Sequence, residues 1–395
     1  MPRRRRYFGL LLVAVLAASA QSLVADPSAA ITDRVAALAR RLAAADFAQR
    51  QQAEADLLVL GPDALPALRK ALPSAELEAH YRLERIIAAL DQVRREQILS
   101  EFRMGGQPND PSLLTAWVAF SRLAGDGPEA RALLAEMARV EPWIVAAVSG
   151  PAEQLRSDFE RRAADVNLHR VQRQQSQRSV ATVAALLFAA QLPDCHPSPS
   201  VVACINACVT EGPYLESMER VQRPQPLERL VAVWVSDPTT TPALQRLQLA
   251  ARFELIEGID VALQIIEEQL PGPQLQQAVL YLAKAGNVSH LHQLELLLSD
   301  ATDLQQRRQN SVTTFSSRVQ DVALVALLHL TGQDPEEYGF SGLREDQKYV
   351  YLPGTIGFDT DEQRQMAFSK WKRWSAEHLK QVQPVVEQAA AGYSA

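Results

Sequence analysis

The run FAQRQQAEADLLVLGPDALPAL, residues 47–68, decides how this chain is read. Residues 47–60 contain no Gly or Pro and are mostly good helix formers, so they predict one helix. Gly61-Pro62 then breaks it, because Gly takes the left-handed cap conformation freely and Pro, lacking an amide hydrogen, is suited to a first helical position. Leu65, Leu68 and Leu72 follow at helical spacing, which places them on one stripe of a second helix over 62–72. The unit is helix, sharp break, helix.

The same punctuation extends outward. Residues 32–45 predict a helix with Val35, Leu38 and Leu42 along one side, and residues 76–99 predict a longer one. Further Pro/Gly breaks at 104–111, 125–128, 193–200, 222–226, 236–242 and 271–273 leave segments of ordinary helix length. An internal echo sets the repeat. Gln52-Ala53 precedes Gly61 in QAEADLLVLG as Gln277-Ala278 precedes Gly286 in QAVLYLAKAG. Leu291, Leu294 and Leu298 then follow the second glycine, and each copy leads into another helix: Leu83, Ile86, Ile87 and Leu90 in one, Val322, Leu324, Val325 and Leu328 in the other. Helix pairs repeated along a chain are the mark of a solenoid.

Bulk composition agrees. A single core stops growing near about 250–300 residues, so a chain of 395 residues is either two domains or an elongated array. Aromatics make up only 6 % and no long period-two alternation occurs, which gives strands little support.

Residues 46–93 resemble a HEAT repeat. Phe47 to Ala53 match the family's arginine-then-alanine pattern, and Gly61 to Leu68 look like its turn and second helix. The chain as a whole is also similar to a group of exported HEAT-like proteins of planctomycete-type bacteria. The residues that carry this are Val319 to Leu324, Leu330 to Pro335, Tyr338-Gly339-Phe340, Gly357-Phe358 and Arg364 to Trp374. The resemblance implies an all-α, HEAT-like α-solenoid of antiparallel helix pairs over 30–333, with an aromatic-rich C-terminal cap over 334–395. It implies no activity.

The first 25 residues read as a signal peptide. Arg3 to Arg6 form a basic n-region, Tyr7 to Ala18 an apolar core, and Ala18-Ser19-Ala20 a cleavage site before Gln21, with Asp26 as the second candidate start. An uncleaved anchor helix is the alternative. After cleavage no membrane span is expected, since the run Val180 to Leu192 is too short. Removing the four arginines takes the net charge from −6 to −10, which speaks against nucleic acid as a partner. The expected location is outside the cytoplasm: periplasm or cell envelope, or secreted.

Chemistry-bearing residues are few. Cys195, Cys204 and Cys208 are candidates for a disulfide in an exported protein, or for buried thiols. Their spacing, even with His196, matches no strong zinc pattern, and neither metal nor cofactor is expected. No HExxH, GxSxG or GxxxxGK occurs, and carboxylate pairs such as Glu267-Glu268 read as solvated faces. Residues 334–395 hold nine of the chain's 24 aromatics, including Tyr393. Thr360 and Gln363 form a capping box for a helix on which Phe368, Trp371 and Trp374 fall three apart. These rings either close the open end of the array or bind a ligand, a sugar being one candidate. The polar stretch Ser299 to Arg318 is expected to be a long loop, used for binding or unstructured. The expectation for function is a non-catalytic, exported scaffold that binds a protein partner through the solenoid surface; the alternative is an envelope ligand-binding protein.

Overall fold

Each Pro/Gly break of the sequence falls between two helices in the computed structural model. The structure describes residues 27–172, 179–193, 195–220, 222–239, 241–309 and 312–379; among them are eighteen α-helices and four short strands. The expected signal segment and Tyr393 lie outside the described residues. The all-α class holds, with one departure described below. The chain divides at Ile98/Leu99 into two compact units.

Up to Ile98 the helices are α1 (Pro27–Arg41), α2 (Phe47–Val59), α3 (Leu65–Ala71) and most of α4 (Leu77–Arg103). Asp46 starts α2 by accepting a hydrogen bond from the Ala48 amide at 2.9 Å. Gly61, at φ +73°, turns the chain into a short 3₁₀ turn, Pro62–Ala64, that leads into α3. Val35 and Leu38 of α1, with Leu42 just beyond its end, meet Leu57, Leu65, Leu68, Leu83 and Leu90 in one buried core. Each such side chain contributes roughly 1.5–3 kcal/mol by leaving water. Arg50 donates to the carbonyls of Ala44 and Ala45 at 2.7 and 2.8 Å, tying the turn between α1 and α2 to the start of α2.

From Leu99 on, α5 (Pro111–Ala124), α6 (Pro128–Val140), α7 (Trp143–Ser149), α8 (Ala152–Val171) and α9 (Val180–Ala190) come first. They are followed by α10 (Pro199–Thr210), α11 (Gly212–Met218), α12 (Gln225–Ser236), α13 (Ala243–Phe253), α14 (Gly258–Glu267), α15 (Gly272–Ala285) and α16 (Leu291–Leu296). Residues Ala181 to Ala190 of α9 are all buried, and α9 packs against α6, α8, α10, α11 and α12. α12 also reaches back to α5 and α6, so this part is a bundle around two central helices. From α12 onward the contacts become serial: α12 meets α13 and α14, and α13 meets α14 and α15. Glu141, 3 % exposed, fastens α7, α8 and α9 to one point. It accepts from Trp143 Nε1 at 2.8 Å, from Arg162 at 2.8 and 2.6 Å, and from Thr182 Oγ1 at 2.8 Å.

The stretch expected as a loop is a β-hairpin. β1 (Asp303–Gln309) pairs antiparallel with β2 (Val312–Arg318). Both strands are polar, so no alternation betrayed them; main-chain pairing needs no apolar face. The outer edge of β2 is met by residue 358, with Ser316 and Phe358 exchanging both amide hydrogen bonds at 2.9 and 3.0 Å. Gly357 allows this approach, since a Cβ there would stand 2.3 Å from the Ser316 carbonyl oxygen. After the hairpin come α17 (Val319–Leu330), β3 (Glu345–Asp346), β4 (Val350–Tyr351) and α18 (Asp361–His378). Residues 334–379 belong with the preceding helices because Phe358 pairs with β2, α18 packs on α17, and Gln276 and Lys284 of α15 donate to carbonyls of Pro353 and Gln347. Among the described residues no helix is long and apolar enough to cross a membrane.

Candidate functional site

α13 has two faces. Arg246, Leu247, Ala250 and Phe253 point inward and are buried, while Gln245, Gln248 and Arg252, at helical spacing, point outward. The outward stripe forms the floor of a polar cleft of about 840 Å³, with Asn206 and Thr210 of α10 on one side and Lys284 of α15 on the other. Gln347 and Lys348, in the turn between β3 and β4, close one end.

The cleft is held by hydrogen bonds that begin in the core. Buried Trp234 donates from Nε1 to Asn206 Oδ1 at 2.9 Å, which fixes the amide so that Nδ2 faces Gln245 Oε1 at 3.3 Å. Buried Arg246 fixes the start of α13 from below by donating to the carbonyls of Thr241 and Val235 at 3.0 and 3.1 Å and to Gln264 Oε1 at 2.5 Å. Burial lowers its pKa from the usual guanidinium range. At the far end of α13, Glu254 takes a left-handed conformation at φ +55°. This sends its carboxylate to Lys284 Nζ at 2.9 Å, and that hydrogen bond, with the ammonium charge, holds Glu254 below the usual carboxylate range. Lys284 also donates to the Gln347 carbonyl at 2.7 Å, and Arg252 pairs with Glu219 at 3.3 Å. Two ion pairs thus sit within the wall, Glu211 and Lys348 add further charge at its edges, and the floor and the α10 side present amides and a hydroxyl. Such a surface suits hydrogen bonding to a polar chain; its lining carries no nucleophile–base pair.

The residues singled out in the sequence lie elsewhere. Cys195, Cys204 and Cys208 are all buried and stand here as unbridged thiols. Cys204 and Cys208 stand one turn apart on α10, a geometry that does not suit a bridge. Cys204 instead donates to the Ala163 carbonyl at 3.5 Å, and its hydrogen bond with Cys208 holds it below the usual thiol range. Burial pushes Cys195 up to about 11. Among the described residues no group of three or more His, Cys, Asp or Glu is placed to hold a metal ion.

The capping box at the start of α18 forms as read, with Gln363 N–H to Thr360 Oγ1 and Thr360 N–H to Gln363 Oε1 both at 3.2 Å. Trp371 is buried at 2 % exposure, while Phe368 and Trp374 are half-buried. Trp374 is stacked between Trp371, at 5.3 Å between ring centroids, and His378, at 4.8 Å. Trp371 thus has no free ring face for a ligand. What anchors α18 is Arg364, which the sequence marked only as the start of the Arg364 to Trp374 stretch. Arg364, 3 % exposed, pairs with fully buried Asp321 at 2.8 and 3.2 Å and donates to the Ser316 carbonyl at 3.1 Å and its Oγ at 2.7 Å. One guanidinium joins α18, α17 and β2.

No protein-family model, no curated protein and no solved structure matches this chain.

Proposed function

We propose that the chain is an exported, non-catalytic scaffold that binds a protein partner through the helix face formed by α10, α13 and α15. The observation that carries this reading is the polar cleft on that face, which holds two ion pairs in its wall and an Asn206 amide oriented from the core. An extended polypeptide offers the complementary donors and acceptors along its backbone. The basic and apolar N-terminal residues support export, and the acidic balance disfavours nucleic acid.

The solenoid reading draws on the serial contacts of α12 to α15 and on α15 and α16 both packing against α17. The HEAT resemblance rests on sequence, over residues 46–93 and again over 274–332. In this reading the segment from residue 334 caps the array, and the burial of Trp371 and the Arg364–Asp321 pair supports that role. The second reading, a small envelope ligand held in the C-terminal element, is favoured by a cleft beside β1 rather than by the aromatic helix.

The test is co-purification from an envelope extract with the double variant Gln245→Glu/Gln248→Glu, which puts two negative charges on the floor of the cleft. A partner captured by the wild type and lost by a variant of unchanged circular dichroism supports the reading. Equal capture by both refutes it.

A further inference from the structure

A second cleft, of about 640 Å³, opens between the hairpin and the segment 339–359. Its volume is that of ordinary small-molecule sites, roughly 300–1,000 Å³. The lining is unusual for this acidic chain, since it holds two arginines, Arg307 and Arg344, against one carboxylate, Asp359.

Both arginines are set in place. Arg307 donates from Nη2 to the Gly354 carbonyl at 2.6 Å and lies over the Phe315 ring at 4.5 Å. Arg344 is pinned through its main chain: its amide donates to Thr355 Oγ1 at 3.1 Å and its carbonyl accepts from Leu352 at 2.8 Å. Its exposed side chain lines the cleft. Gly342 and Gly354 bare the main chain on the same wall, and a Cβ at Gly342 would meet nothing within 4 Å. Gln305, Ser341, Thr355 and Gln363 add neutral amide and hydroxyl groups.

A guanidinium fork matches an oxyanion such as carboxylate or phosphate. Amides and hydroxyls around it match the hydroxyls of a sugar. We infer that this cleft binds a small hydroxylated oxyanion, a sugar acid or sugar phosphate, with Arg344 and Arg307 taking the charged group. This site is separate from the α10–α13–α15 face, and its failure would leave partner binding there untouched.

The experiment is titration calorimetry of the full chain with D-glucuronate, D-glucose 6-phosphate and, as the neutral control, D-glucose. Saturable binding of either anion, weakened at least ten-fold by Arg344→Ala, is expected, with D-glucose not bound. Arg344 is exposed, so the variant should keep the wild-type melting temperature; Arg344→Lys, which keeps the charge and loses the fork, should fall between. Binding of glucuronate alone identifies a carboxylate site, and of the phosphate alone a phosphate site. The inference is overturned if neither anion binds, if D-glucose binds as well as they do, or if Arg344→Ala leaves the affinity unchanged.

Discussion

Replacing Trp371 with Ala separates a structural role of α18 from a ligand-binding one. Trp371 is 2 % exposed and stacked on Trp374. A buried tryptophan removes roughly 150–250 Å² from water, which at about 25 cal/mol per Å² is roughly 4–6 kcal/mol. Alanine retains a small part of this and the neighbours close some of the gap. The expected loss is therefore about 3–5 kcal/mol, as for other deleted large aromatics. At about 2–4 °C per kcal/mol for domains of this order of size, the melting midpoint should fall by roughly 6–20 °C. Half-buried Trp374 should lose less when replaced by Ala. Thermal melts followed by far-ultraviolet circular dichroism read both variants. A wild-type midpoint for Trp371→Ala would refute the packing argument and return the ring to the list of ligand contacts.

Three further outcomes are expected. Native protein should react with thiol reagents at none of Cys195, Cys204 and Cys208, and unfolded, unreduced protein at all three; a single reactive thiol after unfolding would mean a disulfide. Arg364→Ala strands fully buried Asp321 and should cost about 3–5 kcal/mol by denaturant midpoint; a loss below about 1 kcal/mol would contradict the anchoring role. Glu254 is held below the usual carboxylate range by its hydrogen bond from Lys284, so its contribution is present above the ordinary carboxylate pKa and is lost as pH falls through the lowered one. Glu254 is exposed and the pair solvent-screened, so less than about 1 kcal/mol is at stake; Lys284→Met should flatten this part of the stability–pH curve, and an unaltered curve would count against the pair.

Much of the helical architecture was legible because amphipathic helices and Gly/Pro breaks act locally. Val35 and Leu38 lie on the buried side of α1 as their spacing required, Leu42 joins them from the turn just after it, and Gly61-Pro62 turns where expected. Other boundaries were hidden. α13 ends at Glu254 in a left-handed conformation that normally announces itself with glycine. The hairpin was missed because VTTFSSR and DLQQRRQ carry no alternating apolar face, and only main-chain pairing reveals them. Arg364 in a first helical turn reads as solvated; its partner Asp321 is 43 residues away, a separation over which no helical spacing speaks. The same holds for both clefts. Asn206, Gln248, Lys284 and Gln347 converge only through the packing of α10, α13, α15 and the turn after β3.

The central claim is that the chain acts by binding a partner on the α10–α13–α15 face. A photo-cross-linking amino acid placed at exposed Gln248, with exposed Glu267 of α14 as the control position, tests it in native envelope extract. The account predicts one defined adduct from Gln248 and none from Glu267. No adduct at Gln248, or equal adducts at both positions, would contradict it.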